Sequence, residues 1–279
     1  MTGSPAGATS TNFCYRHPDR QSFVLCQRCG RTICPQCQTQ AAVGVHCPEC
    51  VREGRASGAR RSPSISNLAR STTDRPIVTW SIMALCVIVF VLQMIPGSQV
   101  TNLLLYVPAL TATEPWRMIT SAFVHSPGQL AHIVFNMLSL FLFGPLMERM
   151  LGRVRFLALY LLSGFGGSVA VLLIAPGTPV LGASGAIFGL LGGFFVIQRR
   201  LGGNTTQLLV VIGINLAIGF LPGANIAWQA HLGGLIVGAA VAFVYLRTRR
   251  AAQRTVQIAA VTGVFVALVL LTLLGVALL

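Results

Sequence analysis

Four polar side chains stand in apolar stretches where polar groups are costly: His132, Asn136, Ser184 and His231. Ser184 sits among small residues, Leu181-Gly182-Ala183-Ser184-Gly185-Ala186-Ile187-Phe188-Gly189, where an apolar run opens after Pro176, Gly177 and Pro179. His231 lies in Ala230-His231-Leu232-Gly233-Gly234-Leu235-Ile236-Val237-Gly238. His132 and Asn136 are spaced i,i+4, so on a helix they share one face. Serine and histidine together can do acyl chemistry: the imidazole takes the hydroxyl proton as the oxygen attacks a carbonyl. The oxyanion that forms needs donors aimed at it. Asn136 offers an amide, His132 an imidazole N–H, and the Ser184 backbone N–H falls at a helix start, where the dipole is positive. No carboxylate joins them. Beyond residue 76 the only acids are Glu114 and Glu148, and Glu148 falls near the far end of its run. The expected arrangement is therefore a Ser184–His231 dyad, not a triad.

A second set of candidates opens the chain. Cys14-x-x-His17, Cys26-x-x-Cys29, Cys34-x-x-Cys37 and Cys47-x-x-Cys50 are four two-ligand knuckles. A two-residue gap lets both ligands of a knuckle reach one ion, and two knuckles complete a tetrahedral site. The short gap between the second and third knuckles disfavours pairing them, so first with third and second with fourth is the easier geometry. This cross-braced pattern resembles B-box-type zinc fingers. It implies two structural zinc ions, with His46 either a spare or a replacement for Cys47. Disulfides are the competing reading, but an odd number of thiols with a spaced histidine fits metal better. Residues 1–12 read as a flexible tail, 13–52 as the zinc-binding domain and 53–76 as a basic, disordered linker rich in Arg, Ser, Gly and Pro.

The rest of the chain must position the polar residues in a bilayer. Hydrophobic residues make up 54% and charged residues only 9%, with a mean hydropathy of +0.73. That composition excludes an ordinary soluble domain and reads as an all-α polytopic membrane protein. The polar, cysteine-rich opening does not read as a signal peptide. Apolar runs of about spanning length fall near 77–95, 130–148, 155–175, 183–198, 206–221, 226–246 and 256–278. The net charge of +14 comes entirely from arginine and does not call for nucleic acid. Clusters at Arg149, Arg153 and Arg155, at Arg199 and Arg200, and at Arg247, Arg249, Arg250 and Arg254 fall in alternate loops. The amino terminus is thereby expected in the cytoplasm and the carboxyl terminus outside. On that topology the second, fourth and sixth spans all run inward and carry their polar residues near the outer start. His231 lies roughly 7–8 Å deep at 1.5 Å per residue. Gly185, Gly189, Gly234 and Gly238 would let the fourth and sixth helices approach closely. Residues 96–129 form a long outer loop holding Glu114, Trp116, Arg117 and His125, with the character of an interfacial element.

With these residues in view, the stretch from about 77 to 250 resembles the rhomboid intramembrane serine proteases. Gly182-Ala183-Ser184-Gly185-Ala186-Ile187-Phe188-Gly189 and Ala230-His231-x-x-Gly234-x-x-x-Gly238 look like the family's two signature motifs. Glu114-x-Trp116-Arg117 resembles its first external loop, His125 and His132-x-x-x-Asn136 its second helix, and Gly144-x-x-x-Glu148 a motif at that helix's inner end. The resemblance implies a six-helix core over 77–250, with 251–279 as an added seventh transmembrane helix. It also implies cleavage of transmembrane protein substrates near the outer face of the cell membrane. The zinc head lies outside the resemblance and reads as a binding module for a cytoplasmic protein partner. A hydrocarbon layer of roughly 30 Å would separate it from Ser184, so zinc is expected to take no part in catalysis. The main alternative is an inactive rhomboid-like binder or adaptor, but such relatives usually lack the Ser or the His. A small-solute transporter would call for symmetric repeats with broken helices, and none is visible.

Overall fold

The computed structural model describes residues 12–41, 44–58, 75–220 and 226–279. The chain divides into two compact units, Met1–Pro63 and Ser64–Leu279. The expected tail, apart from Asn12, and most of the expected linker lie outside the described residues.

The first unit is built from short pieces. β1 (Phe13–Cys14) pairs antiparallel with β2 (His17–Gln21), and β3 (Thr39–Gln40) with β4 (Val45–His46). Helix α1 (Pro48–Gly58) follows. It runs past residue 52, where the disordered linker was expected to begin. Pro48 presets the first helical turn, Glu49 complements the amino-terminal dipole, and Arg52, Glu53 and Ala56 are good helix formers. Among the described residues its buried apolar cluster is six cysteines and Ile33, so the unit has almost no hydrocarbon core of its own.

The second unit is helical. Its long elements are α2 (Ile77–Gln93), α5 (Leu130–Leu151), α6 (Arg153–Ile174), α7 (Ser184–Arg200), α8 (Thr206–Ile218), α9 (Trp228–Arg247) and α10 (Arg254–Ala277); α3 (Val100–Leu104) and α4 (Arg117–Thr120) are short. The long helices fall on the apolar runs of the sequence. Among the described residues, four stretches are long and apolar enough to cross a membrane: Leu130–Leu151, Arg153–Ile174, Trp228–Arg247 and Ala251–Ala277. Ile77–Gln93 and Thr206–Ile218 are shorter apolar helices. Phe135, Leu142, Val154 and Leu270 are exposed on the outside of the bundle, as expected of helices that meet lipid rather than water.

Glycine sets the central packing. A Cβ on Gly234 would fall on the Gly185 carbonyl oxygen, and one on Gly238 on that of Gly189. α7 and α9 therefore meet backbone to backbone. A Cβ on Gly233 would likewise run into the Gly166 carbonyl and the Ala170 side chain, which sets α9 equally close to α6.

The two ends of the bundle are fixed by different polar contacts. At one end Glu148, 3% exposed, accepts hydrogen bonds from Val78 N (3.0 Å), Thr79 N (2.7 Å) and Thr79 Oγ1 (2.7 Å). The two amides belong to the first turn of α2 and have no partner within their own helix, and the carboxylate also faces the positive end of the dipole. Also at the arginine-bearing end, Arg155 Nε donates to Gln257 Oε1 (2.8 Å), Gln257 Nε2 donates to Thr248 Oγ1 (2.8 Å), and Tyr245 OH donates to the Arg155 carbonyl (3.2 Å). This network ties α10 to α6 and α9.

At the other end the long segment between α2 and α5 is a packed lobe. Arg117, 5% exposed, binds the Glu114 carboxylate and donates to the carbonyls of Asn102 and Leu105. Tyr106 and Val180 exchange backbone hydrogen bonds of 2.9 Å each. Ser168 Oγ on α6 donates to the Met118 carbonyl (2.8 Å). Gly182 N donates to the Ser121 carbonyl (2.9 Å), so the lobe holds the residue that leads into Ser184.

Truncating Glu148 leaves buried donors unpaired, which costs about 1–3 kcal/mol or more when a charge is involved. Glu148→Ala should lower the thermal midpoint of the detergent-solubilised protein by several degrees. An unchanged midpoint would remove this cap from the account of the fold.

Candidate active site and metal clusters

Ser184 is the first residue of α7, after Ala183. Its backbone N–H is one of four at a helix start without an intrahelical acceptor. Gly182, two residues earlier, has φ +122, a conformation that side chains rarely adopt. A Cβ there would lie 2.7 Å from His132 Nε2 and 3.7 Å from Ser184 Oγ. The bare Cα of Gly182 thus keeps open the space between His132 and Ser184.

His231 sits in the first turn of α9, 7% exposed. Its Nε2 is 2.9 Å from Ser184 Oγ, within reach for proton transfer. The ring lies flat on Phe188, one helical turn beyond Ser184, with centroids 4.1 Å apart and planes 8° apart. Phe188 belongs to the serine motif, yet nothing in the sequence distinguished it from an ordinary core aromatic. His231 Nδ1 is buried with no hydrogen-bond partner among the described residues. Glu114 and Glu148 are engaged with Arg117 and α2, so neither backs the imidazole.

His132 and Asn136 lie on α5 and line the same cavity, of about 1180 Å³, as Ser184 and His231. Ser126 N donates to His132 Nδ1 (3.3 Å). A backbone amide can only donate, so Nδ1 is the acceptor and, in the neutral ring, Nε2 carries the proton. That N–H faces the Gly182–Ser184 corner. Asn136 Nδ2 donates to the carbonyl of His132 in its own helix (2.8 Å). One of the two N–H groups of this amide is thus used within α5, leaving the other for the cavity.

His125 lies not on α5 but in the turn before it. It is fully buried, its ring centroid is 5.3 Å from that of His132, and both ring nitrogens lack partners among the described residues. Burial, reinforced by the neighbouring His132, holds its pKa down at about 4, which keeps it neutral beside His132.

The arrangement therefore offers a hydroxyl bonded to an imidazole, an adjacent backbone amide and a neutral imidazole N–H converging on one corner. That combination suits acyl transfer. A rhomboid-domain family model matches residues 112–248. The putative rhomboid protease YdcA of Bacillus subtilis is 33% identical over 183 residues, covering 62% of this chain and 90% of YdcA. The chain belongs to the rhomboid family. It is also 38% identical over 175 residues to rhomboid protease GluP of Bacillus subtilis, and 38% identical over 140 residues to RHOMBOID-like protein 4 of Arabidopsis thaliana. These matches cover 59% and 48% of this chain, and each spans about a third (34%) of the relative's own length.

Among the described residues of the first unit, two ligand groups come together: Cys14, His17, Cys34 and Cys37, and Cys26, Cys29, Cys47 and Cys50. The first knuckle meets the third and the second meets the fourth. Cys47 is in the second group and His46 is in neither. Within each group the ligand atoms lie within 4.8 Å of one another. A tetrahedral ion with bonds near 2.3 Å to sulfur and 2.0–2.1 Å to nitrogen requires edges of about 3.8 Å between sulfurs and about 3.6 Å from sulfur to nitrogen. The Cys29–Cys47 sulfurs are 3.7 Å apart, and His17 Nδ1 is 3.4–3.7 Å from the sulfurs of Cys14, Cys34 and Cys37. The donor set fits such an ion.

Burial pushes these thiols up. At Cys14 and Cys26 backbone N–H groups outweigh burial and bring the thiol down to about 6. At Cys37 and Cys50 neighbouring thiols add to burial, giving about 11 and about 12. A dication would relieve this crowding and allow all the sulfurs to deprotonate. The segment 12–58 should accordingly take up two equivalents of Co²⁺ with the visible bands of tetrahedral thiolate coordination, and Cys26→Ser should lose one equivalent. An ordered, metal-free segment in excess chelator would rule out metal as its scaffold.

Proposed function

We propose that this rhomboid family member is an intramembrane serine endopeptidase that cleaves transmembrane segments near the extracytoplasmic face. The observation that carries the reading is the 2.9 Å contact of His231 Nε2 with Ser184 Oγ, in a chain whose relatives are named as rhomboid proteases. Ser184 Oγ attacks the scissile carbonyl carbon while His231 Nε2 takes its proton. The carbonyl oxygen becomes an oxyanion, met by the Ser184 N–H, the His132 Nε2–H and the free N–H of Asn136. As the tetrahedral intermediate collapses, the C–N bond breaks and His231 returns the proton to the leaving amine. Water, deprotonated by the same imidazole, then releases the acyl group from Ser184.

The seven helices are read as seven spans in a cell membrane. The arginine clusters put the amino terminus in the cytoplasm and the carboxyl terminus outside. The first unit is read as a two-zinc, B-box-like module for a cytoplasmic protein partner. Its zinc ions are structural, held by Cys14, His17, Cys34 and Cys37 and by Cys26, Cys29, Cys47 and Cys50.

Ser184→Ala and His231→Ala should each abolish cleavage of a model transmembrane substrate in detergent while leaving the thermal midpoint intact. A fluorophosphonate probe should label Ser184. Turnover by Ser184→Ala at the wild-type rate would overturn the assignment.

Removal of one oxyanion donor typically costs about 10²–10³ in turnover. Asn136→Ala should therefore lower kcat by about that factor, with KM changed far less. Normal kcat would show that the oxyanion is met by the other two donors alone.

A further inference from the structure

Gln93, the last residue of α2, is 7% exposed. Its carboxamide meets the backbone of His125 from both sides. Gln93 Nε2 donates to the His125 carbonyl (2.7 Å), and His125 N donates to Gln93 Oε1 (3.1 Å). The peptide groups fix which end of the amide is which, since a backbone N–H cannot accept and a carbonyl cannot donate. The second amide hydrogen goes to Thr101 Oγ1 (2.8 Å). One side chain thus pairs with His125 as a neighbouring strand would, and joins the end of α2 to the turn before α5.

The next amide along that turn is Ser126 N, which donates to His132 Nδ1. This bond leaves the proton of the neutral ring on Nε2, the nitrogen beside Gly182. Without it Nδ1 would be free to carry the proton, and Nε2 would present a lone pair to the corner where the oxyanion forms. Such a ring would repel the oxyanion instead of donating to it.

We infer that Gln93 is a positioning residue for the oxyanion site, holding the His125–Ser126 turn so that the Ser126 amide keeps His132 in the Nε2–H tautomer. This rests on the oxyanion role given to His132 in the proposed function. Gln93 touches neither substrate nor Ser184; its effect passes through two peptide groups to one ring.

The test uses the full-length protein in detergent with ¹⁵N-labelled histidine. In the wild type the His132 resonances should report protonated Nε2 and bare Nδ1. In Gln93→Met a protonated Nδ1 population should appear, and kcat on a model transmembrane substrate should fall about ten-fold with KM little changed. Gln93→Glu keeps the acceptor for His125 N but loses the donor to its carbonyl, so its loss should be smaller; it also carries the test if Gln93→Met does not fold. In a His132→Ala background Gln93→Met should cost little more, because the two act in series. An unchanged His132 tautomer in both Gln93 variants, or a full ten-fold loss added on top of His132→Ala, would overturn the inference while leaving the protease reading intact. A protein that cuts no substrate yet shows the tautomer change would do the reverse, sinking the protease reading and sustaining the role of Gln93.

Discussion

The contact of α7 with α9 is the constraint on which the site depends. Serine reaches only one bond beyond its Cβ, so Ser184 meets His231 only if the two helix axes lie unusually close. Gly185 and Gly189 on one helix and Gly234 and Gly238 on the other remove the side chains that would hold them apart. In a bilayer no hydrophobic force drives helices together, since lipid tails are as apolar as leucine. Close van der Waals contact and weak Cα–H···O bonds between bare backbones must then hold the pair. A single methyl at Gly234 would meet a carbonyl oxygen and separate the very groups whose hydrogen bond defines the site.

Much of this architecture can be read from the chain, because membranes impose simple rules. Helix positions follow from uninterrupted apolar length, and the glycine spacing identifies the pair that packs most closely. In the first unit the pairing of knuckles follows from chain length, since the stretch from Cys29 to Cys34 is too short to wrap one ion with its own neighbours. What escapes the sequence depends on contacts between distant residues. Gln93 looks like a polar residue ending a span, and only the fold brings it to His125, 32 residues away. Phe188 is one of 15 phenylalanines, and its stacking on His231 is set by the helix crossing. The lobe between α2 and α5 has no periodicity to read, because buried Arg117 and Tyr106 organise it through individual hydrogen bonds. Asn136 shows a further limit: its position on the helix face is legible, but its bond to its own helix is not.

The two units solve the same problem differently. The membrane unit has hydrocarbon in plenty and uses buried polar groups, such as Glu148 and Gln257, as fixed points between helices. The first unit is too small for a hydrocarbon core and places cysteines where a core would be. Below about 70–80 residues a hydrophobic core alone rarely suffices, and disulfides, a metal or oligomerisation usually supplement it; here the ligand spacing points to metal.

The bare Nδ1 of His231 has a consequence for how such a protein would choose its targets. In triad enzymes the acid that holds the imidazole contributes about 10⁴-fold to turnover. Here the face of Phe188 is what lies against the ring, and an aromatic face gives a cation on the order of 1 kcal/mol. On the proposed reading, a dyad so placed would carry out its chemical step slowly. If chemistry were slower than escape, a membrane segment that visits the cavity and stays helical would depart uncut, whereas one that unravels and lingers would be cut. Under that reading discrimination would rest on dwell time more than on tight recognition, and a slow catalyst would spare the membrane helices that only pass through the cavity.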